Sequence, residues 1–284
     1  LYPTSDAIEK LALAGSPTGT CAAWMTSSQV VGASVAAGDA WATPATLDGV
    51  AASHDFPLGI AAGPAGCAVA WQNTSATIQG ARHDGSGWSA AETVSETPAY
   101  GDDASPSRNV LQVAAGDDGF AYAWNRYGQE VYARVWDAAT AWEGEADVGP
   151  TSGSQLELAA SGGEYLIAHR AGGLPTVCVH DGTAWQPELA LSDVYTTQEP
   201  TLTADASGFR LLFVEYDETN LDYDVLTTRR EAGAWWDSPL LLYQDLVIDG
   251  IPVTGPADGA TTGVLGTPLA GDPRVDQLWG WGAQ

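Results

Sequence analysis

The chain alternates between short apolar runs and polar, glycine-containing breaks, and the same alternation recurs along its length. An apolar residue, an alanine, a glycine turn and a second apolar run ending in tryptophan make up LALAGSPTGTCAAW, LGIAAGPAGCAVAW and LQVAAGDDGFAYAW. Weaker copies read LELAASGGEYLIAH, LTADASGFRLLFV and VTGPADGATTGVL. Their central apolar residues are Leu13, Ile60, Val113, Leu158, Leu202 and Val253. The spacing averages about 48 residues, so six units fill the 284-residue chain and leave no room for a second domain.

A third run follows in each copy, such as TIQGARHDG, VYARVWDAA, TVCVHDG or YDVLTTRREAG. A turn then leads to a tryptophan that opens a fourth run: Trp41, Trp88, Trp142, Trp185 and Trp235. Val131, Ala133 and Val135 share one face while Tyr132, Arg134 and Trp136 share the other, a period of two that marks strands. Asp84-Gly85 and Asp181-Gly182 suit tight hairpins, where glycine accepts the positive φ that such turns demand. Asp6 and Glu9 resemble a capping box, but their segment aligns with LGIAAG and LQVAAG and is predicted to be a strand.

Four antiparallel strands per copy make a sheet with two faces to cover, and radial stacking of copies covers both. The predicted fold is therefore all-β: a single-domain, six-bladed β-propeller of four-stranded antiparallel blades. The blades span residues 6–50, 51–98, 99–149, 150–193, 194–245 and 246–284. The last lacks its fourth strand, which the N-terminal residues 1–5 supply, closing the ring. Trp24, Trp71 and Trp124, at the ends of second strands, are predicted to pack between blades.

Charge changes the picture of partners. Asp plus Glu number 36 against 10 Lys plus Arg, a formal charge of -26, and Lys10 is the sole lysine. Such a surface repels phosphate backbones and anionic headgroups, which argues against nucleic acid and membrane-surface partners. The acids are scattered among tryptophans and β-branched residues, so they read as solubility or as a site for cations or a basic partner, not as disorder. No stretch approaches the ~18–20 apolar residues of a membrane span. No signal peptide is recognisable, and the start at Leu1 suits a mature or trimmed form. Cys21, Cys67 and Cys178 are too few and scattered for a metal knuckle or disulfide framework and are expected to be small buried hydrophobes. Cys21 precedes Trp24 by three residues and Cys67 precedes Trp71 by four, which leaves a bridge between neighbouring second strands as the alternative.

GFAYAWNRYGQEVYARVWDAATAW and GFRLLFVEYDETNLDYDVLTTRREAGAW resemble the repeats of bacterial secreted, Trp-rich β-propeller proteins. The resemblance covers nearly the whole chain, is strong in copies two, three and five, and is poor in copy six. It implies a propeller and an extracellular or cell-surface setting, but no reaction. Sialidase-like and lectin-like propellers share the architecture. The sialidase Asp-box is echoed only in HDGSGW and HDGTAW, which lack its Ser and its spacing.

In a propeller, the loops after second strands and between blades gather around the axis. Those positions here carry Met25, Gln72, Asn125, Arg126, Tyr127, Arg170, Glu215 and Tyr216, joined by Asp102 and Asp103 of the long 96–108 connection. They differ from copy to copy, which fits one asymmetric axial site, or no small-ligand site at all, better than a ring of identical lectin sites. Asp217, Asn220, Asp222 and Asp224 in DETNLDYD offer oxygen ligands of the kind calcium takes, without EF-hand spacing or its glycine. A solvated acidic hairpin is the competing reading, so no cofactor is required and calcium is the candidate. His83, His169 and His180 are dispersed and suggest no zinc site. No catalytic residue is assigned. Glu215 with Asp102 or Asp103 would be a glycosidase pair, but among 36 acids such a pair means little.

The reading that follows is a non-catalytic extracellular module whose axial loops engage a glycan or a protein. Tyr127, Tyr216, Asn125 and Gln72 suit sugar recognition by stacking and hydrogen bonding. Two alternatives stay open: a structural or assembly subunit of an extracellular complex, as a homo-oligomer or within a larger assembly, and a glycoside hydrolase or lyase.

Overall fold

The computed structural model describes residues 6–17, 19–28, 31–38, 40–48, 57–96, 110–126, 130–151, 155–196, 200–217, 222–235, 239–247, 253–254, 262–263 and 267–268. Every regular element among them is a strand, and no helix among them is long and apolar enough to cross a membrane. The chain divides into two compact units, Leu1–Gly149 and Pro150–Gln284, at the boundary between the third and fourth repeats.

The first unit holds three antiparallel sheets. Sheet 1 runs β1 (Ile8–Ser16), β2 (Gly19–Thr26), β3 (Val31–Ala37), β4 (Ala40–Trp41), with β5 (Ala45–Asp48) also on β3. Sheet 2 is β6 (Leu58–Gly63), β7 (Gly66–Gln72), β8 (Ile78–His83), β9 (Glu92–Thr93). Sheet 3 is β10 (Leu111–Ala115), β11 (Gly119–Arg126), β12 (Glu130–Asp137), β13 (Ala141–Trp142), with β14 (Ala146–Pro150) on β12. In the second unit, sheet 4 is β15 (Leu156–Ser161), β16 (Glu164–Ala171), β17 (Leu174–His180), β18 (Leu189–Ala190). Sheet 5 is β19 (Thr201–Asp205), β20 (Gly208–Asp217), β21 (Asp222–Glu231), with β22 (Ala234–Trp235) and β23 (Leu240–Val247) both on β21.

Among the described residues the sixth repeat forms no four-stranded sheet. β24 (Val253–Thr254) and β25 (Thr262–Gly263) form a two-stranded ribbon, while β26 (Thr267–Pro268) adds to the edge of sheet 5 beside β23. Five sheets of four or more strands are therefore present, and no closed ring is seen among the described residues. Most of residues 246–284 lie outside the described residues. Residues 1–5, expected to close the ring, lie outside the described residues.

One register rule repeats through the sheets. The first-strand residue opposite the second-strand tryptophan is leucine: Leu11 faces Trp24, Leu58 faces Trp71 and Leu111 faces Trp124. In sheet 4 the partner of Leu156 is His169. The glycine that opens the second strand has a steric reason. A Cβ on Gly66, Gly119 or Gly208 would run into the carbonyl oxygen of His83, Trp136 or Arg230 across the ladder, and Gly66 and Gly208 also adopt positive φ (109° and 142°).

Alternation then sorts each sheet into two faces. Ala23, Met25, Val31 and Ala33 of sheet 1 pack with Val69, Trp71 and Ala81 of sheet 2, and Leu58 and Ile60 flank them. The opposite face of sheet 2 (Ala68, Ala70, Ile78) packs with Leu111, Val113, Tyr122 and Trp124 of sheet 3. In the second unit, Leu166, Ala168, Val177 and Val179 of sheet 4 meet Leu202, Phe209 and Leu211 of sheet 5. Trp71 and Trp124 pack between sheets as expected; Trp24 is buried too, but on the face of sheet 1 that carries Leu11. Each removes roughly 150–250 Å² from water, on the order of 4–6 kcal/mol before entropy is counted. Leu13 is the exception: Leu11 and Leu13 are 61% and 62% exposed, because no described strand covers that face of β1.

Two of the three cysteines are not simple hydrophobes. Cys21 and Cys67 form a disulfide with a Cα–Cα distance of 6.4 Å, within the usual range for such bonds. Cys21 shares the face of Ala23 and Met25, and Cys67 that of Val69 and Trp71, so the bond staples the two sheets across their common core. Cys178 is free and buried, as expected; burial foremost, with the Glu188 charge, pushes its thiol up to about 12.

The HDG turns are built alike. The Asp84 Oδ1 accepts from the Ser86 and Gly87 amides and the Ser86 hydroxyl, and the Asp181 Oδ1 from the Thr183 and Ala184 amides and the Thr183 hydroxyl. Both preceding histidines lie edge-on to the following tryptophan, at 5.3 Å between ring centroids.

Candidate functional site

The residues expected on axial loops separate into two groups. Gln72, Asn125 and Arg170 share one register position with Met25, immediately after the second-strand Trp or His. Met25, Gln72 and Asn125 are buried there. The Asn125 Oδ1 accepts from the Val110 amide at 2.8 Å and the Asn125 amide donates to the Val110 carbonyl at 3.2 Å, closing the β10–β11 pair. Gln72 cannot repeat this bond. Its register partner would be Pro57, which has no N–H, and the Gln72 Oε1 is buried without a hydrogen-bond partner.

The second group is gathered. The Arg170 Nη1 donates to the Thr196 carbonyl at 3.3 Å, and the Tyr216 amide donates to the Tyr195 carbonyl at 3.0 Å. Arg170 and Tyr216 thus converge on one short segment, with Glu215, half-buried, next to Tyr216 in the chain. Asp217 pairs with Asp222, and Glu215 with Asp224, across the β20–β21 ladder; Arg126 pairs with Glu130 on β11–β12. Asp102, Asp103, Tyr127 and Asn220 lie outside the described residues. Among the described residues no group of three or more His, Cys, Asp or Glu is arranged to hold a metal ion.

The densest polar constellation lies elsewhere, between sheets 2 and 3. Arg82 on β8 shares the face of Ala68, Ala70 and Ile78 that meets sheet 3. Its Nη2 lies 2.9 Å from both oxygens of Glu92 on β9. From sheet 3 the Trp142 Nε1 donates to the Glu92 Oε2 at 2.7 Å. The Arg82 guanidinium sits 4.3 Å from the Trp136 ring centroid and 5.0 Å from that of Trp142, cation–π contacts that keep a desolvated charge favourable. Arg134 flanks Trp142 at 5.1 Å and reaches the Val94 carbonyl, the Glu143 carbonyl and Glu96.

Electrostatics and exposure make this group unequal. The Arg82 side chain is 10% exposed and that of Glu92 40%, so Glu92 is partly open to solvent while its counter-ion is held within. Burial raises the Glu92 carboxyl, but hydrogen bonds from Arg82 and Trp142 and the charge of Arg82 outweigh it and hold the group below its ordinary value. Tyr122 lies behind, fully buried, with its ring 5.2 Å from Trp142; burial above all pushes its phenol well up, so it is a neutral hydroxyl.

Register shows why the constellation is not repeated. The place of Arg82, opposite the second residue after the opening glycine, is Val35 in sheet 1 and Val179 in sheet 4. The place of Glu92 is Ala45 and Leu189 in the same sheets. The Trp142 place is kept, by Trp88 in sheet 2 and Trp235 in sheet 5. Between sheets 4 and 5 the charge pair is built differently: Arg230 of β21, 5.8 Å from the Trp235 ring, binds Glu164 of β16 with Nε and Nη2 at 3.1 and 2.7 Å. Reasoning from axial loops passes over Arg82 and Glu92. The signal that finds them is their exchange for Val and Ala at the aligned positions of copy one.

The sequence matches no family model and no curated protein. Similar solved structures do exist. The BP39L lectin from Burkholderia pseudomallei superposes with a TM-score of 0.54 at 15% identity, covering 82% of this chain and 70% of that one. A fungal lectin from Aleuria aurantia, described as a six-bladed β-propeller with a novel fucose recognition mode, gives 0.48 at 15% identity over 83% and 78% of the two chains. The SapL1 lectin in complex with α-methyl fucoside gives 0.46 at 14% identity over 90% and 87%. The likeness to BP39L shows a shared fold.

Proposed function

We propose that this chain is a non-catalytic carbohydrate-binding module with a sugar site at the junction of sheets 2 and 3. The observation that carries the reading is the partly exposed Glu92 carboxylate, held charged by Arg82 and Trp142 beside the Trp136 and Trp142 indoles. A fixed carboxylate accepts from sugar hydroxyls, and indole surface covers the apolar face of a pyranose; pre-organisation removes much of the ordering cost. The lectin BP39L has the same fold, which supports the reading by analogy only. Titration of methyl glycosides by calorimetry, beginning with α-methyl fucoside, tests it. Binding that Glu92→Gln weakens at least about tenfold is expected, and a glycan array and titrations without any binding would refute it.

The ring belongs to the same proposal. Leu11, Leu13 and Trp41 leave one face of sheet 1 open, whereas the equivalent Leu111 and Val113 of sheet 3 are buried. A sixth blade completed by the N-terminal residues would cover that face in a closed six-bladed, single-domain propeller, secreted or at the cell surface. The same open face favours the second reading, an assembly subunit that docks a partner there. A compact monomer in small-angle scattering supports the ring, and self-association on gel filtration supports the assembly.

A further inference from the structure

A second feature of the site chemistry lies in the other unit. β16 and β17 are joined by Gly172-Gly173, whose φ values of 59° and 85° are those of a type I′ turn. The Cδ2–Cε2 edge of Tyr195 lies on Gly173, where any Cβ would collide with the ring. The backbone on either side is fixed: the Thr196 amide donates to the Gly173 carbonyl at 2.7 Å, and the Tyr195 carbonyl accepts from Tyr216 at 3.0 Å. Thr196 is fully buried, yet the adjacent Tyr195 is 53% exposed. Its surroundings are polar. Arg170 is anchored on the Thr196 carbonyl, Asp193 is exposed two residues earlier, and Glu215 adjoins Tyr216.

We propose that Tyr195, seated on the Gly172-Gly173 turn beside Arg170, is the stacking platform of a second subsite that takes a pyranose sugar. The inference rests on the carbohydrate-binding reading and extends it to a site in the second unit. Tyrosine offers a large amphipathic face at low entropic cost, and here the ring's backbone is ordered by folding and not by the ligand. An isolated ring among charged groups suits a small polar ligand with one apolar face better than a protein, which needs a contiguous apolar patch.

The test uses the full chain with ¹³C-labelled tyrosine rings, titrated by NMR with methyl α-fucoside, methyl β-galactoside and methyl α-glucoside. The Tyr195 ring signal is the one lost in Tyr195→Phe. Saturable shifts of that signal with at least one pyranoside are expected. Read by calorimetry in the Glu92→Gln background, Tyr195→Ala should weaken binding of the same pyranoside at least about tenfold and Tyr195→Phe should keep it within about threefold, while Glu92→Gln itself should leave the shift of the Tyr195 signal unchanged. A Tyr195 signal that no pyranoside moves, while Glu92-dependent binding persists, overturns this subsite and leaves the site between sheets 2 and 3 standing. Absence of sugar binding at both places overturns both readings.

Discussion

Gln72→Met should stabilise the protein, although it removes a polar side chain that sequence reasoning assigns to a ligand. The Gln72 Oε1 is buried and lacks a donor because residue 57, its register partner, is proline. An unmatched buried carbonyl costs about 1–3 kcal/mol. Methionine of similar volume fills the equivalent place in sheet 1, where Met25 is fully buried, so repacking should cost less than about 1.5 kcal/mol. The expected net gain is about 1–2 kcal/mol, read as a higher urea midpoint at unchanged m and a Tm raised by roughly 2–8 °C. The same exchange in sheet 3 must have the opposite sign. Asn125→Met leaves the partly buried Val110 amide without its acceptor and should destabilise by about 1 kcal/mol or more. Pro57→Ala restores an N–H opposite Gln72, and in that background the gain from Gln72→Met should shrink. Destabilisation by Gln72→Met, or equal gains in both backgrounds, refutes the account.

Three further outcomes follow from the geometry. The Cys21–Cys67 bond closes a 46-residue separation, so Cys21→Ala with Cys67→Ala should cost about 4 kcal/mol on the chain-entropy estimate, measured by urea unfolding; a loss below about 1 kcal/mol would count against the staple. Burial raises the Glu157 carboxyl to about 7, so the folded state binds the proton more tightly than the unfolded chain, and stability should fall as pH rises from about 4.5 through 7. Glu157→Gln should flatten that slope and raise Tm at pH 8, by up to roughly 3 kcal/mol in stability terms. The side-chain and backbone hydrogen bonds of the HDG turns lower the Asp84 and Asp181 carboxyls to about 2. Their contribution is present above about pH 4 and lost as pH falls toward 2, so Asp84→Asn with Asp181→Asn should make the acid limb of a Tm–pH curve shallower.

The sheets were legible because strand pairing is local. Alternation of two in VYARVWD, the glycine before each second run and, in the first three copies, the tryptophan after it define hairpins whose partners lie a few residues apart. The repeat length, the second-strand tryptophans in the core and the strand at Ile8–Ser16 follow from those signals alone. The candidate site was not legible in the same way, since its parts come from different sheets. Arg82 and Glu92 lie ten residues apart, but Trp136 and Trp142 reach them only through packing of sheet 3 on sheet 2. Register alone also could not say that Asn125 and Gln72, equivalent in sequence, would differ in hydrogen bonding, because the difference rests on what stands across the ladder: Val110 in one sheet and Pro57 in the other. The cysteines tell the same story, their pairing decided by which faces of β2 and β7 meet. Sequence by itself determined the local repeat, because backbone hydrogen bonding and side-chain alternation act within a hairpin. Tertiary structure alone decided which side chains meet between sheets, because a period of two says which face a residue takes and not what that face will touch.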